Sequence, residues 1–131
     1  MSTAKKILAV DDENDVLLII KTALVSEGFE VKTASGGTDA LAIAPEFQPD
    51  LVIVDMMMPE MTGFEVLKEI RAIPELKQIP VIMLTGVADK EKIREAINVG
   101  ISYYIVKPFE FHDLISKVKL AISDAENNTF S

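Results

Sequence analysis

Four short polar stretches interrupt an otherwise aliphatic sequence: Asp11-Asp12-Glu13, Asp55, Thr85-Gly86 and Lys107-Pro108-Phe109. Each follows a run of branched aliphatics, so strands of one sheet would bring the carboxylates, a hydroxyl and an ammonium to one rim. Clustered carboxylates repel one another, and their pKa values rise unless a cation neutralises them. A hard divalent ion answers that need. Two aspartates, waters and a backbone carbonyl are the oxygen ligands that Mg²⁺ takes, and spare coordination positions suit a phosphoryl oxygen. Lys107 adds a positive point charge and Thr85 a hydrogen-bond donor. Together these are the parts for phosphoryl transfer. Asp55, at the tip of the expected central strand between Asp12 and the Thr85/Lys107 side, is the expected nucleophile, while Asp11 and Asp12 belong beside the ion.

The elements that must position these groups are legible in the hydrophobic pattern. Ile7 to Val10, Glu30 to Ala34, Leu51 to Val54, Val81 to Leu84 and Tyr103 to Val106 have strand length. Three of them are apolar without alternation, as strands covered on both faces should be, whereas the charged second run reads as an edge. Between them, helical periodicity marks Asn14 to Ser26, Thr38 to Ala44, Phe64 to Ala72, Lys90 to Val99 and Glu110 to Ser123. Gly28 and Gly100 stand where left-handed caps are wanted, and Pro45, Pro49, Pro74 and Pro80 bound the connections. This is a series of five βα units, and hence a parallel sheet whose ligands bind beyond the carboxyl ends of its strands. The polar ending from Glu126 onward is expected to fray.

With 131 residues, the chain suits a single domain spanning 1–131 with a core at about 6–124. Its 49% hydrophobic and 26% charged residues supply a core and solubility. The net charge of −8 has the wrong sign for a phosphate backbone or an anionic membrane, so no direct nucleic-acid or membrane contact is expected. Without cysteine there is no disulfide, thiolate metal site or thiol nucleophile. No signal-like apolar stretch follows Met1, which predicts a cytoplasmic location.

The four motifs, in register, resemble the receiver domain of two-component response regulators. The match runs from Lys6 to about Asp124 and rests on Asp11-Asp12, Asp55 with Met58-Pro59 and Thr62-Gly63, Thr85-Gly86, and Tyr104 with Lys107-Pro108-Phe109. The resemblance implies a flavodoxin-like doubly wound sheet of order 2-1-3-4-5 with five helices. It implies that Asp55 accepts a phosphoryl group from a histidine on a sensor kinase or phosphotransfer protein. Asp12, Asp55 and the backbone carbonyl of Met57 are then the direct Mg²⁺ ligands, with Asp11 holding metal-bound water. Thr85 and Lys107 bind the phosphoryl oxygens, Tyr104 is the aromatic switch, and Lys107-Pro108 is a cis peptide.

Phosphorylation adds roughly −1.5 to −2 charge at neutral pH. Drawing in Thr85 would vacate space for Tyr104 and reshape the surface of the fourth helix, fifth strand and fifth helix, with its Lys90, Lys92, Arg94, Lys117 and Lys119. That face is expected to meet a downstream protein target, acting as a monomer or a phosphorylation-linked dimer. On the first helix, successive residues turn by about 100°, which sets Leu18 and Val25 nearly opposite Val16, Ile20 and Ala23. Leu18, with Leu17 or Val25, is therefore expected to dock the histidine-bearing donor. Gly86 stands where alanine is frequent, which loosens the loop after Thr85. Apolar Met57 and Val87 flank the water route to the acyl phosphate, so slow hydrolysis is expected.

Blander roles fit the remaining motifs: Met56-Met57-Met58 as packing and loop, His112 as a solvated or capping residue, and Lys90-Glu91-Lys92 as a solvated face. Gly36-Gly37 lacks the Gly-Lys-Ser/Thr ending of a phosphate loop. Three rivals to a stand-alone switch exist. One is a receiver cut from a larger regulator with an effector domain. Another is an Mg²⁺-dependent phosphatase of the haloacid dehalogenase type, which needs an aspartate where Met57 stands. The third is a pseudo-receiver that never carries phosphate.

Overall fold

The computed structural model describes residues 4–86 and 90–127. Strands and helices alternate as β1 (Lys6–Val10), α1 (Asn14–Ser26), β2 (Glu30–Ala34), α2 (Gly37–Phe47), β3 (Leu51–Asp55), α3 (Gly63–Arg71), β4 (Val81–Thr85), α4 (Lys90–Asn98), β5 (Tyr103–Val106) and α5 (Phe111–Asn127). A 3-10 turn, Pro74–Leu76, which periodicity did not announce, precedes β4. The strands form one parallel sheet of order β2-β1-β3-β4-β5. The expected doubly wound fold is therefore present, with charged β2 at one edge.

Two-residue periodicity divides the core. Ile7 and Ala9, Leu51 and Ile53, and Ile82 and Leu84 point to the side covered by α1 and α5, where they meet Ile20, Leu24, Leu114 and Val118. Leu8 and Val10, Val52 and Val54, and Val81 and Met83 point to the other side, against Ala40, Ala44, Val66, Ile70 and Ala96 of α2, α3 and α4. Strands β3 and β4 are buried at every position, which is why they read as unbroken aliphatic runs. Each such fully buried side chain contributes roughly 1.5–3 kcal/mol.

Several boundaries differ from the periodic reading. Helix α2 runs on through Pro45, which removes a hydrogen bond, yet the turn persists because Phe47 behind it is buried under the ammonium groups of Lys6 and Lys32, 5.6 and 5.0 Å from the ring centre. Gln48 then closes it in the left-handed region at φ 50°, its side-chain amide donating to the Pro45 carbonyl at 2.8 Å. Helix α5 continues past the expected end at Ser123 to Asn127, and the rest of the ending expected to fray lies outside the described residues. Buried Ala121 and Ile122 hold its last turns, the Tyr103 hydroxyl donates to Asp124 at 2.8 Å, and Lys5 lies 4.0 Å from Glu126. Strands β3 and β4 extend one residue further than expected, so Asp55 and Thr85 are fixed by the ladder itself. Gly28 and Gly100 take the left-handed conformations expected of caps, at φ 93° and 86°.

Candidate functional site

The order β2-β1-β3 reverses the winding direction at the border of β1 and β3, and a crevice opens beyond their carboxyl ends. Asp11 follows β1 directly; its N–H donates to Ala34 at 3.1 Å, and its side chain is fully buried. Its Oδ1 accepts the N–H of Glu13 at 2.9 Å. Asp12, next in the chain, is exposed. Asp55 ends β3, nearly buried. Carboxylate oxygens of Asp11, Asp12 and Asp55 all lie within 4.8 Å of one another.

Lys107 enters from the loop after β5, its N–H held by the Thr85 carbonyl at 2.7 Å. Its ammonium lies 2.8 Å from Asp11 Oδ2, 3.4 Å from Asp55 Oδ2 and 3.9 Å from Glu13 Oε1. The Lys107-Pro108 bond is cis, as the resemblance implied. Thr85, buried at the end of β4, completes the rim.

Electrostatics follow from this packing. Burial pushes the Asp55 carboxyl up from 3.8 to about 6, and the Asp11 charge adds to the rise; Lys107 and the Met57 N–H oppose it. Burial pulls Lys107 down, but the close approach of Asp11 and the charges of Asp55, Asp11 and Glu13 outweigh that and leave it above its ordinary value. Asp11 Oδ2 faces Lys107 as an ion pair without satisfying hydrogen-bond geometry. A buried carboxylate oxygen left in this state, with two more carboxylates beside it, is an oxygen donor set that fits a hard divalent cation.

The loop after Asp55 is built to hold that residue still. Thr62 and Glu65 form a reciprocal capping box at the start of α3, with bonds of 3.0 and 3.2 Å, a Thr-x-x-Glu signal present in the sequence. Gly63 donates to the Met56 carbonyl at 2.8 Å and packs so closely that an added Cβ would fall 2.4 Å from the Asp55 carbonyl oxygen. Met56 and Met58 are buried while Met57 is 56% exposed, in keeping with packing and loop roles.

The structure thus assembles Asp11, Asp12, Asp55, Thr85 and Lys107 at one rim and places two predicted residues elsewhere. Tyr104, 39% exposed, lines a groove of about 820 Å³ between α4 and α5 with Ile97, His112 and Lys117. Leu18 projects from α1 at 65% exposure, beside exposed Ile19 and Val25. Leu17, grouped with it as a docking residue, is instead buried, because the stripe facing the sheet runs through Leu17, Ile20, Ala23 and Leu24. Lys119 pairs with Glu27 of the α1 end at 2.7 Å and so leaves the expected basic face. Val87 lies outside the described residues. Periodicity gave no hint of Arg71, whose contacts are three backbone carbonyls.

Fold and rim together define a class: doubly wound α/β domains with an acidic site at the switch point. The chain belongs to the response regulator receiver domain family, whose model matches residues 7–119, and it is accordingly a receiver domain of two-component signalling. It is similar to the solved structure of the chemotaxis protein CheY4 of Vibrio cholerae, 37% identical, with a TM-score of 0.87 over 91% of this chain and 99% of that one. A CheY-like receiver domain protein of Methanospirillum hungatei is 33% identical, with a TM-score of 0.87 over 96% and 99%. Among curated relatives, a probable transcriptional regulator, ycf27, of Cyanophora paradoxa is 39% identical over 127 residues, 97% of this chain and 52% of the relative. The phosphate regulon regulator PhoB of Rhizobium meliloti is 34% identical over 96% and 56%. The chain spans about half the length of these two regulators. No helix among the described residues is long and apolar enough to cross a membrane.

Proposed function

We propose that the chain accepts a phosphoryl group on Asp55 from the phosphohistidine of a sensor histidine kinase or histidine phosphotransfer protein, and passes the signal on through altered contacts with a protein target. The observation that carries this reading is the convergence of Asp11, Asp12 and Asp55 within 4.8 Å, with Lys107 bridging Asp11 and Asp55. A carboxyl whose pKa is about 6 is ionised at neutral pH and more basic than a free aspartate, which favours it as a nucleophile. One Asp55 oxygen attacks phosphorus, the N–P bond of the donor breaks with its electron pair returning to the imidazole, and an acyl phosphate forms. Lys107 and Thr85 bind the phosphoryl oxygens. Asp12, Asp55 and the Met57 carbonyl would hold Mg²⁺ directly, with Asp11 acting through water, and the ion supplies positive charge where the phosphoryl oxygens sit.

On this reading the domain covers 1–131 and is a switch that assists only its own phosphorylation and dephosphorylation. The movement of Thr85 toward the phosphate lets Tyr104 turn inward and reshapes the α4–β5–α5 face. Leu18 on α1 meets the donor. The reading keeps the expected cytoplasmic location, monomer or phosphorylation-linked dimer, and no direct contact with nucleic acid or membrane. A second reading, a receiver segment of a longer regulator, is favoured by the partial coverage of the curated relatives.

Phosphotransfer profiling against purified histidine kinases and phosphotransfer proteins tests the proposal. One preferred donor is expected, with no uptake by Asp55→Asn; uptake surviving in that variant removes Asp55 as the acceptor.

A further inference from the structure

Helix α4 buries little of its own surface and is tied at its carboxyl end to a neighbouring helix. Among its described residues Ala96 alone is buried, whereas α1, α2, α3 and α5 each bury four. Its polar surface gives the sheet little to grip. Its carboxyl end is tied from outside: Arg71, the last residue of α3, donates through Nη1 to the Val99 carbonyl at 2.6 Å and through Nη2 to the carbonyls of Gly100 at 2.9 Å and Ile79 at 3.1 Å. A cation at the carboxyl end of a helix is favoured by the helix dipole, and two of the carbonyls it takes, those of Val99 and Gly100, immediately follow the last helical residue, Asn98.

This guanidinium sits in a demanding place. Burial pulls its pKa down, and Nε is buried with no hydrogen-bond partner. Such an arrangement persists when the remaining bonds hold something that side-chain packing does not. Gly100 adds a geometric constraint. It turns in the left-handed region, and an added Cβ would stand 3.3 Å from Arg71 Nη1. The opposite end of α4 follows Thr85 in the chain after Gly86 and three further residues.

We infer that Arg71 is a positioning residue, the fixed pivot about which α4 reorients when the rim at Asp55 and Thr85 changes charge. The carboxyl-terminal turn stays pinned to α3 and to the approach of β4, while the amino-terminal turns follow Thr85. The coupled motion rests on the receiver reading; the pinning in the resting protein does not.

The test uses the whole chain as wild type, Arg71→Met and Arg71→Lys, measured by amide hydrogen exchange with and without Mg²⁺ plus beryllofluoride, an inorganic phosphoryl mimic. In the resting wild type, the amides of Val99, Gly100 and Ile101 are expected to be protected, and the mimic should alter exchange in the first two turns of α4 but not there. Arg71→Met should speed exchange of these three amides at least tenfold while the amides of β3 and β4 keep their protection, and the mimic's effect should then spread along the whole helix. Arg71→Lys, which keeps the charge but not the fork, should fall between the two, and it carries the comparison if the methionine variant does not fold. Exchange at residues 99–101 within twofold of wild type, or loosening of every element alike, overturns the pivot. A wild type that is pinned at rest yet insensitive to the mimic instead counts against the receiver reading and the coupled motion together.

Discussion

Replacing Asp55 by asparagine should stabilise the metal-free protein, and the size of the effect can be worked from the site. Folding moves this carboxyl from 3.8 to about 6, chiefly because it is buried and secondly because Asp11 lies beside it. At about 1.36 kcal/mol per pH unit, ionised Asp55 costs the fold about 3 kcal/mol at neutral pH. The sign follows from proton counting. With the folded pKa above the unfolded one, the native state binds more protons between about pH 4 and 6, so stability falls as pH rises through that window and then levels off. The side-chain amide of the Asp55→Asn variant has no such titration. Urea unfolding in EDTA across this range should therefore show the variant about 2–3 kcal/mol more stable at about pH 7, with the gap closing toward pH 4; taking the difference between the two proteins cancels the carboxylates remote from the site. Mg²⁺ at ten times its Kd should return about 1.4 kcal/mol to the wild type and much less to the variant. A variant no more stable than wild type at neutral pH, or a gap independent of pH, would refute the reasoning.

Other consequences are equally direct. Lys107→Met should slow phosphorylation of Asp55 by about 10²-fold, the usual loss of one preorganised donor at a developing anion, as measured by uptake from a small phosphodonor. Gly63→Ala forces a methyl against the Asp55 carbonyl oxygen at 2.4 Å, so thermal unfolding should show a loss of about 1–3 kcal/mol and uptake should fall with it. Leu18→Ala should weaken transfer from the cognate protein donor while leaving the rate with a small phosphodonor unchanged; an unaltered rate with the protein donor removes Leu18 from that interface. Exposed, apolar Met57 cannot orient water, so the acyl phosphate should last minutes or longer and Met57→Gln should hasten its hydrolysis about tenfold, roughly one hydrogen bond's worth. A wild-type half-life of seconds in buffered Mg²⁺ would contradict this.

The sheet and the rim were legible because both depend on short-range pattern: unbroken aliphatic runs for strands covered on two faces, and a polar residue immediately after each run. What escaped depends on packing between distant segments. The extension of α2 past Pro45 is set by Phe47 finding a buried seat beneath two lysines of neighbouring strands, which no local propensity encodes. Periodicity placed Leu18 outside but could not rank Leu17, since the buried stripe is wide enough to take it. Lys119 looked like part of a basic face because helix spacing says nothing of Glu27, its partner from another helix. Arg71 was invisible for the same reason, as backbone carbonyls carry no sequence signature.

Strands β1 and β3 are hydrogen-bonded neighbours, with Val10 paired to Val54 immediately before the acidic residues that follow. The gap between those acids is accordingly inherited from a backbone lattice whose pitch no side-chain exchange can alter. Exchanges on the solvent-facing sides of the helices, away from the close approach at Gly63, leave that spacing as it is.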